Sequence, residues 1–139
     1  MDISLVTSSA QVKACWRVMN VLRPHISEAD FVPTVTEMME GGYKLAAVFV
    51  EGEAVAVVGY RHLQFLFNGK HIYIDDLSTL PTFRGCGYAG ALLDFVAAEA
   101  RAHGYGSVTL DSGHHRSVAH RLYLNKGYVI SAHHFTQEL

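Results

Sequence analysis

The sequence of 139 residues has little of several features that would point to particular classes of protein. It contains only two cysteines, Cys15 and Cys86, which are too few for a disulfide framework and lack the Cys-x-x-Cys spacing of many metal or redox sites. Charged residues make up 17% of the chain and the formal net charge is −2, so there is no basic excess. We therefore expect two reduced thiols and neither a nucleic-acid nor a membrane partner.

A hydrophobic run long enough to cross a bilayer is also missing. The longest apolar runs, LAAVFV and AVAVVGY, are separated by Glu51-Gly52-Glu53 and fall far short of the roughly 20 residues that a spanning helix needs. The start, MDISLVTSSAQVKACW, lacks the basic segment and the apolar stretch of a signal peptide. These absences predict a cytoplasmic protein, and the length predicts one domain over residues 1–139.

Hydrophobic periodicity predicts helices and strands with no internal repeat. DISLVT alternates as a first strand does, SSAQVKACWRVMNVL has the stripe of a helix, and the segment from Ser27 to Gly41-Gly42 has the end signals of a second helix. Three antiparallel strands are predicted next, with Asn68-Gly69 as a type I′ hairpin signal before the third. The later elements are a helix GYAGALLDFVAAEARAHG, a strand SVTLD, a helix SVAHRLYLNK and a closing strand GYVISAHHFTQEL.

The most informative stretch is FRGCGYAGALL, in which GCGYAG spells Gly-x-Gly-x-x-Gly. Asp111 follows at about the distance of a ribose-binding acid in a dinucleotide fold. In that fold, however, a buried parallel strand runs directly into the first glycine, whereas here Pro81-Thr82-Phe83-Arg84 intervenes after hairpin-linked strands. This order of strands and glycine loop disfavours an NAD-binding fold. Glycines that admit phosphate oxygens, followed by the free N–H groups of a helix start, still predict a pyrophosphate-binding loop.

At these residues the sequence resembles a known family. Arg84-x-x-Gly87-x-Ala89 is similar to the Arg/Gln-x-x-Gly-x-Gly/Ala signature of the GNAT superfamily of acetyl-CoA-dependent N-acetyltransferases. YIDDLSTL resembles the family's acid-containing strand before the loop, and AHRLYLNKGY resembles its late helix with a tyrosine. The resemblance covers the second half of the chain, and the first half agrees only in element order. It implies an α/β fold with a mixed, mostly antiparallel sheet flanked by helices.

The resemblance also implies acetyl-CoA as cosubstrate and a set of residues that bind it. The loop would hold the pyrophosphate through its backbone amides, the N–H of Leu77 would polarise the thioester carbonyl, and Thr79 would extend the contacts along pantetheine. Arg116 stands where the family often has asparagine, so it would either meet a coenzyme phosphate or face solvent. The loop residues are Arg84, Gly85, Cys86, Gly87, Tyr88 and Ala89, of which Cys86 is favoured as a space-filler over a catalytic thiol.

Tyr123 and Asp75 are the catalytic residues that the resemblance implies. Tyr123 would protonate the departing thiolate, with a buried structural tyrosine as the alternative. Asp75 would be the general base, commonly through water, and the alternative is a structural carboxylate that orders the loop. Because Asp75 and Asp76 are strand neighbours, we expect them to point to opposite faces. No metal site is expected, since the nine histidines form no His-Glu-x-x-His pattern, although one of them could act as the base.

The expected function is transfer of the acetyl group of acetyl-CoA to a primary amine of a small molecule, by direct attack in a ternary complex. The tail AHRLYLNKGYVISAHHFTQEL resembles that of bacterial small-amine acetyltransferases, including the aminoalkylphosphonate group. The N-terminal helices and the hairpin RHLQFLFNGKH would wall the acceptor site. A non-catalytic acetyl-CoA-binding sensor or interaction domain and a protein N-acetyltransferase stay open as alternatives. The oligomeric state stays open between a monomer and a homodimer.

Overall fold

The computed structural model describes residues 1–139. The chain divides into two compact units, Met1–Thr109 and Leu110–Leu139. The first unit contains nearly all of the sheet and four of the five helices, and the second contains one helix and the C-terminal segment. No helix in either unit is long and apolar enough to cross a membrane.

One five-stranded sheet has the spatial order β1-β2-β3-β4-β5. The first four strands are antiparallel neighbours. Gly106 N–H donates to Lys70 O, and Ile72 N–H donates to Ser107 O. The residue numbers of the bonded partners increase together in the two segments, so β5 runs parallel to β4. The predicted mixed, mostly antiparallel sheet is therefore confirmed. The strands are β1 (Ile3–Leu5), β2 (Lys44–Val50), β3 (Glu53–Phe65), β4 (Gly69–Thr79) and β5 (Val108–Leu110).

The two hairpins of the sheet use different turns. Glu51 and Gly52, between β2 and β3, have φ of 51° and 81°, which suits a type I′ turn. Between β3 and β4, Phe65 pairs with Gly69, and of the turn residues only Gly69 has a positive φ, of 69°. The type I′ turn predicted at Asn68-Gly69 is therefore wrong. An Asn-Gly pair also suits a three-residue loop that ends in a left-handed glycine. The dipeptide alone therefore does not distinguish this loop from a type I′ turn.

Three helices precede β2: α1 (Ser9–Ala14), α2 (Trp16–Leu22) and α3 (Glu28–Glu40). The single helix predicted over the first two is interrupted at Cys15, whose N–H bonds to Val12 O in a tightened turn. Cys15 is fully buried there, so the interruption does not expose the apolar stripe. α3 begins and ends as predicted, with the Ser27 side chain accepting from Asp30 N–H and Gly41 as the C-terminal cap.

Helices cover both faces of the sheet. On one face, Ser78 of β4 donates its hydroxyl to Val18 O of α2 at 2.8 Å. On the other face lies α4 (Tyr88–Ala102), whose Glu99 accepts from the Tyr60 hydroxyl of β3 at 2.8 Å and also contacts His62 Nε2. Burial alone would raise the pKa of Glu99, but the hydrogen bonds from Tyr60 and His62 outweigh it and the pKa is lowered. These bonds fix α4 against β3.

In the unit Leu110–Leu139 the only helix is α5 (Ser117–Asn125), which ends before Gly127. The closing strand predicted over GYVISAHHFTQEL is wrong, because no residue of that segment is in a strand. Its apolar residues Val129, Ile130 and Phe135 are exposed. Alternation shows that a segment can present two faces, but a strand also needs a neighbour that supplies hydrogen bonds, and periodicity does not identify that neighbour.

Candidate active site

A glycine loop connects β4 to α4. β4 ends at Thr79, a 3₁₀ turn follows at Pro81–Phe83, and α4 begins after Gly87. Gly85 and Gly87 have φ of 77° and 83°, a left-handed conformation that side chains with a Cβ rarely adopt. A Cβ at either position would meet no atom within 4 Å, so backbone conformation and not crowding within the protein requires glycine there.

The backbone N–H groups of this loop have no partners within the protein. Arg84 N–H bonds to Pro81 O, and the next bonded N–H is that of Ala91, which bonds to Gly87 O. Between them lie six consecutive unpaired donors, from Gly85 to Gly90, on an exposed turn at the positive end of α4. Successive N–H groups on a backbone of alternating handedness form a concave site for anions. The predicted loop residues Arg84 to Ala89 thus lie together in a geometry that suits a pyrophosphate.

Both cysteines are free, as predicted, and their surroundings differ. Cys86 is exposed between the two left-handed glycines, and its side chain has only a 3.9 Å contact from Sγ to Arg84 O. Cys15 is fully buried, and burial raises the pKa of its thiol to about 12. No group of three or more histidine, cysteine or acidic side chains is arranged to hold a metal ion.

The two acids of β4 lie at a β-bulge. Asp76 pairs with Gly59 and Ile74 pairs with Tyr60, so Asp75 is an extra residue in β4 without an opposite residue in β3. The expectation that Asp75 and Asp76 point to opposite faces is wrong, because the bulge interrupts the alternation of the strand. Both side chains line the same cavity.

Asp76 is held by two donors. Arg23 Nε donates to Oδ1 at 2.9 Å, and the Tyr43 hydroxyl donates to Oδ2 at 2.7 Å. The ring of Tyr43 lies directly over Gly59, where an added Cβ would stand only 1.8 Å from the Tyr43 hydroxyl oxygen. Burial, followed by the charge of Asp76, raises the pKa of Tyr43 well above its ordinary value, so its hydroxyl remains a donor.

Asp75 has one satisfied oxygen and one unsatisfied oxygen. Arg61 Nε donates to Oδ2 at 2.9 Å, while Oδ1 is buried and has no hydrogen-bond partner. Burial raises the pKa of Asp75, and this outweighs the opposite effect of the Arg61 guanidinium. Arg61 is itself placed by the ring of Tyr43, whose centroid lies 5.3 Å from Arg61 Cζ. Asp75 thus lines the cavity and carries one buried carboxylate oxygen without a hydrogen-bond partner.

The cavity beside these acids has a volume of about 390 Å³. α2, α3 and the segment between them form its other walls. No residue of the hairpin RHLQFLFNGKH lines it. Trp16 Nε1 and Asn20 Nδ2 both donate to Ile26 O, at 3.1 and 3.3 Å, which fixes the segment between the helices.

The remaining residues predicted from the sequence fall into two groups. Leu77 and Thr79 are the positions of β4 opposite Val58 and Ala56, so they follow the bulge directly on the way to the glycine loop. Arg116 and Tyr123 lie in the other unit, Leu110–Leu139, where Arg116 is the residue before α5 and makes no capping hydrogen bond with its side chain. Burial raises the pKa of Tyr123 and the charge of Arg116 opposes the rise, so the hydroxyl is protonated at neutral pH.

Sequence reasoning missed four residues that shape the cavity floor: Arg23, Tyr43, Gly59 and Arg61. One of them carried a signal. Gly59 is a single glycine inside the run AVAVVGYRHL, and a glycine within a strand often marks a bulge or a close approach. The other three act through partners distant in the chain, which no local pattern reveals.

Comparison with known proteins identifies relatives over most of the chain. The sequence model of the acetyltransferase (GNAT) family matches residues 14–128. The chain is 30% identical over 132 residues to the uncharacterized N-acetyltransferase YhdJ of Bacillus subtilis (strain 168), covering 94% of this chain and 93% of that protein. It is 36% identical over 99 residues to an aminoalkylphosphonate N-acetyltransferase of Salmonella typhimurium (strain LT2), covering 70% of this chain and 62% of that protein.

The fold is shared with solved acetyltransferases. The ribosomal-protein-alanine N-acetyltransferase of Brucella melitensis biovar Abortus 2308 superposes with a TM-score of 0.85 over 100% of both chains, at 16% identity. That likeness concerns the fold alone. Because the family model spans most of the sequence and the Bacillus relative matches nearly all of it, the chain belongs to the GNAT acetyltransferase family and is an acetyl-CoA-dependent N-acetyltransferase.

Proposed function

We propose that the protein transfers the acetyl group of acetyl-CoA to a primary amine of a small molecule, and that both substrates are bound when the amine attacks. The observation that carries the proposal is that Asp75, which lines a cavity of about 390 Å³, has one carboxylate oxygen without a hydrogen-bond partner. Asp75 lies on β4, the strand that continues into the loop of unpaired N–H groups. One strand would thus connect a cation-accepting pocket with an anion-binding loop.

Each half of the reaction has a residue suited to it. Acetyl-CoA supplies an acetyl group activated as a thioester. Asp75 would take a proton from the ammonium of the acceptor, directly or through water, so that the amine nitrogen forms the new N–C bond as the C–S bond breaks. Tyr123 would give its hydroxyl proton to the departing sulfur, and the nitrogen would lose its second proton to solvent as the amide forms. Asp75 then releases its proton to solvent and Tyr123 takes one from solvent, so one proton is released in all. The backbone N–H of Leu77 is the group we assign to the thioester oxygen.

The surroundings of Asp75 suit a general base. A carboxylate is a weak base at its ordinary pKa, and the raised pKa of Asp75 brings it closer to working pH. Arg61 holds one oxygen in place, which leaves the other to receive the proton. Asp76 is less suited to this role, because Arg23 and Tyr43 already use both of its oxygens.

Coenzyme binding can be tested with a matched pair of glycine variants. Acetyl-CoA, and not NAD, should raise the melting temperature of the wild type. At 100 times the Kd, binding should add about 2.7 kcal/mol to the free energy of unfolding. Gly87→Val should abolish this rise, since a branched side chain would stand where phosphate approaches the loop.

The control for this prediction is Gly104→Val. Gly104, at the far end of α4, also has a positive φ, of 71°, and open surroundings, so the backbone strain of the two variants is comparable. We expect Gly104→Val to lower the melting temperature and to keep the rise with acetyl-CoA. Equal rises in the two variants would remove the loop from the coenzyme site.

The proposed acid is tested by Tyr123→Phe. Loss of the hydroxyl should lower kcat about 10²-fold, at the low end for general acid catalysis because a thiolate is already a fair leaving group. Affinity for CoA and the melting temperature should change little, since the ring is retained. Melting curves, CoA titration and kcat on folded protein check the three quantities. A normal kcat with a lower melting temperature would make Tyr123 structural.

One relative favours a second acceptor class. The Salmonella protein is named an aminoalkylphosphonate N-acetyltransferase, and an amine of that kind carries an anion that a guanidinium could bind. Arg23 lines the cavity and is the group that would bind it. Assay of a panel of amines by detection of free CoA thiol tests both classes, and turnover of none of them would favour the alternative in which the acceptor is a protein.

A further inference from the structure

We infer, building on the proposed function, that the acceptor is a primary monoamine carried on a compact apolar group. The cavity has a polar floor on β4 and an apolar wall on α2 and α3. Its volume of about 390 Å³ is near the lower end for small-molecule sites, which suits a small acceptor. The charged groups of the floor and the side chains of the wall determine the chemical class of the acceptor.

The floor offers a place for one ammonium group. Of the four carboxylate oxygens of Asp75 and Asp76, three receive hydrogen bonds from Arg23, Tyr43 and Arg61. Only Oδ1 of Asp75 is unsatisfied, and it is buried. A buried carboxylate oxygen without a donor is unfavourable, and an ammonium N–H would satisfy it.

The wall opposite the acids is mostly apolar, with His25 and Thr34 as its polar members, and the helices hold it in place. Met19, Phe31 and Val35 are each under 5% exposed and form it together with Ile26 and Met38. Their packing is set by the helices and by the two donors on Ile26 O, so the wall needs little rearrangement on binding. The part of the acceptor that lies beyond its ammonium therefore contacts mainly hydrocarbon.

Other charged acceptors fit less well. A second ammonium would meet no further carboxylate, because Asp75 and Asp76 are the only acids that line the cavity. An anion would compete with Asp76 for Arg23, whose Nε donates to Asp76 and whose Nη2 donates to the backbone oxygen of Asp75. Both a polyamine and an amine with an anionic group would leave a charge poorly compensated.

A series of amines measures this preference. In n-alkylamines of increasing length, kcat/KM should rise about three- to fourfold per methylene until the cavity is full. Butylamine should exceed 1,4-diaminobutane and 2-aminoethylphosphonate by at least about tenfold. A higher kcat/KM for the diamine or the phosphonate would overturn the inference and leave the proposed function intact. Failure to acetylate any amine would overturn both.

A charge placed on the wall should reverse the preference. Thr34 lines the cavity and is exposed, so Thr34→Glu adds a carboxylate at little cost in folding. We expect kcat/KM for 1,4-diaminobutane to rise several-fold and that for butylamine to fall. Thr36→Glu is the control, since Thr36 is exposed on the same helix but does not line the cavity. The inference fails if the two variants shift the ratio of these amines equally.

Discussion

Asp75→Asn should lower kcat by 10²- to 10⁴-fold while the melting temperature at pH 7 stays unchanged or rises. The loss of rate is that expected for a general base. The expected melting temperature of this variant follows from the raised pKa of Asp75 in the wild type. A carboxylate whose pKa is higher in the folded state favours folding at low pH, and this contribution is lost as the pH rises through the folded pKa. At pH 7 its charge opposes folding, and asparagine removes that charge.

Asp76→Asn provides the matched comparison. Both oxygens of Asp76 accept hydrogen bonds, one of them from a guanidinium, so this variant should lose roughly 1–3 kcal/mol of stability. Melting curves and kcat for the two variants separate the roles of the adjacent acids. A fall in the melting temperature of Asp75→Asn with near-normal kcat would favour the alternative in which Asp75 only orders the loop. In that case the base would have to be another group, such as a histidine.

Gly59→Ala should be the most destabilising of the single substitutions considered, although it adds only one methyl group. The new Cβ would stand 1.8 Å from the hydroxyl oxygen and 2.4 Å from Cζ of Tyr43. Tyr43 is 3% exposed, so its ring cannot move aside without leaving the core and its bond to Asp76. We expect a loss of roughly 2–4 kcal/mol, between the effects of overpacking and of losing a buried aromatic ring. The melting temperature should fall on the order of 10 °C.

Gly106→Ala is the control for added volume and reduced backbone freedom. A Cβ at Gly106 meets nothing within 4 Å, and its φ is not positive, so this change should stay within about 0.5 kcal/mol. In a Tyr43→Ala background, Gly59→Ala should add little further destabilisation, because the clash is removed. Additive effects in that double-mutant cycle would contradict the proposed cause.

Local signals in the sequence were sufficient for most of the elements. The serine cap at Ser27, the glycine pair after α3 and the alternation of the strands predicted elements that the structure contains. The glycine loop was predicted from spacing, and the left-handed φ of Gly85 and Gly87 agrees with the need for glycine there. These features depend on a few neighbouring residues, which is why a single sequence reveals them.

The errors at the two acids and at the C-terminal segment arose where a distant partner decides the structure. The bulge at Asp75 depends on the register of β4 against β3, and simple alternation therefore gave the wrong faces for the two acids. The same holds for Arg23 and Arg61, which reach the acids from α2 and β3. The predicted last strand failed for a related reason, because its alternation was present without a pairing partner.

The bulge makes β4 one residue longer than the sheet requires. Alternation runs undisturbed up to Ile74 and resumes in phase at Asp76, so removing Asp75 would leave every other side chain of β4 on its present face. Deleting a residue further from the bulge, such as Ile72, would instead shift the residues between the deletion and Asp75 by one position and turn their side chains to the opposite faces. β4 thus contains a single insertion that the fold can spare, and the inserted residue is the carboxylate with an unused oxygen.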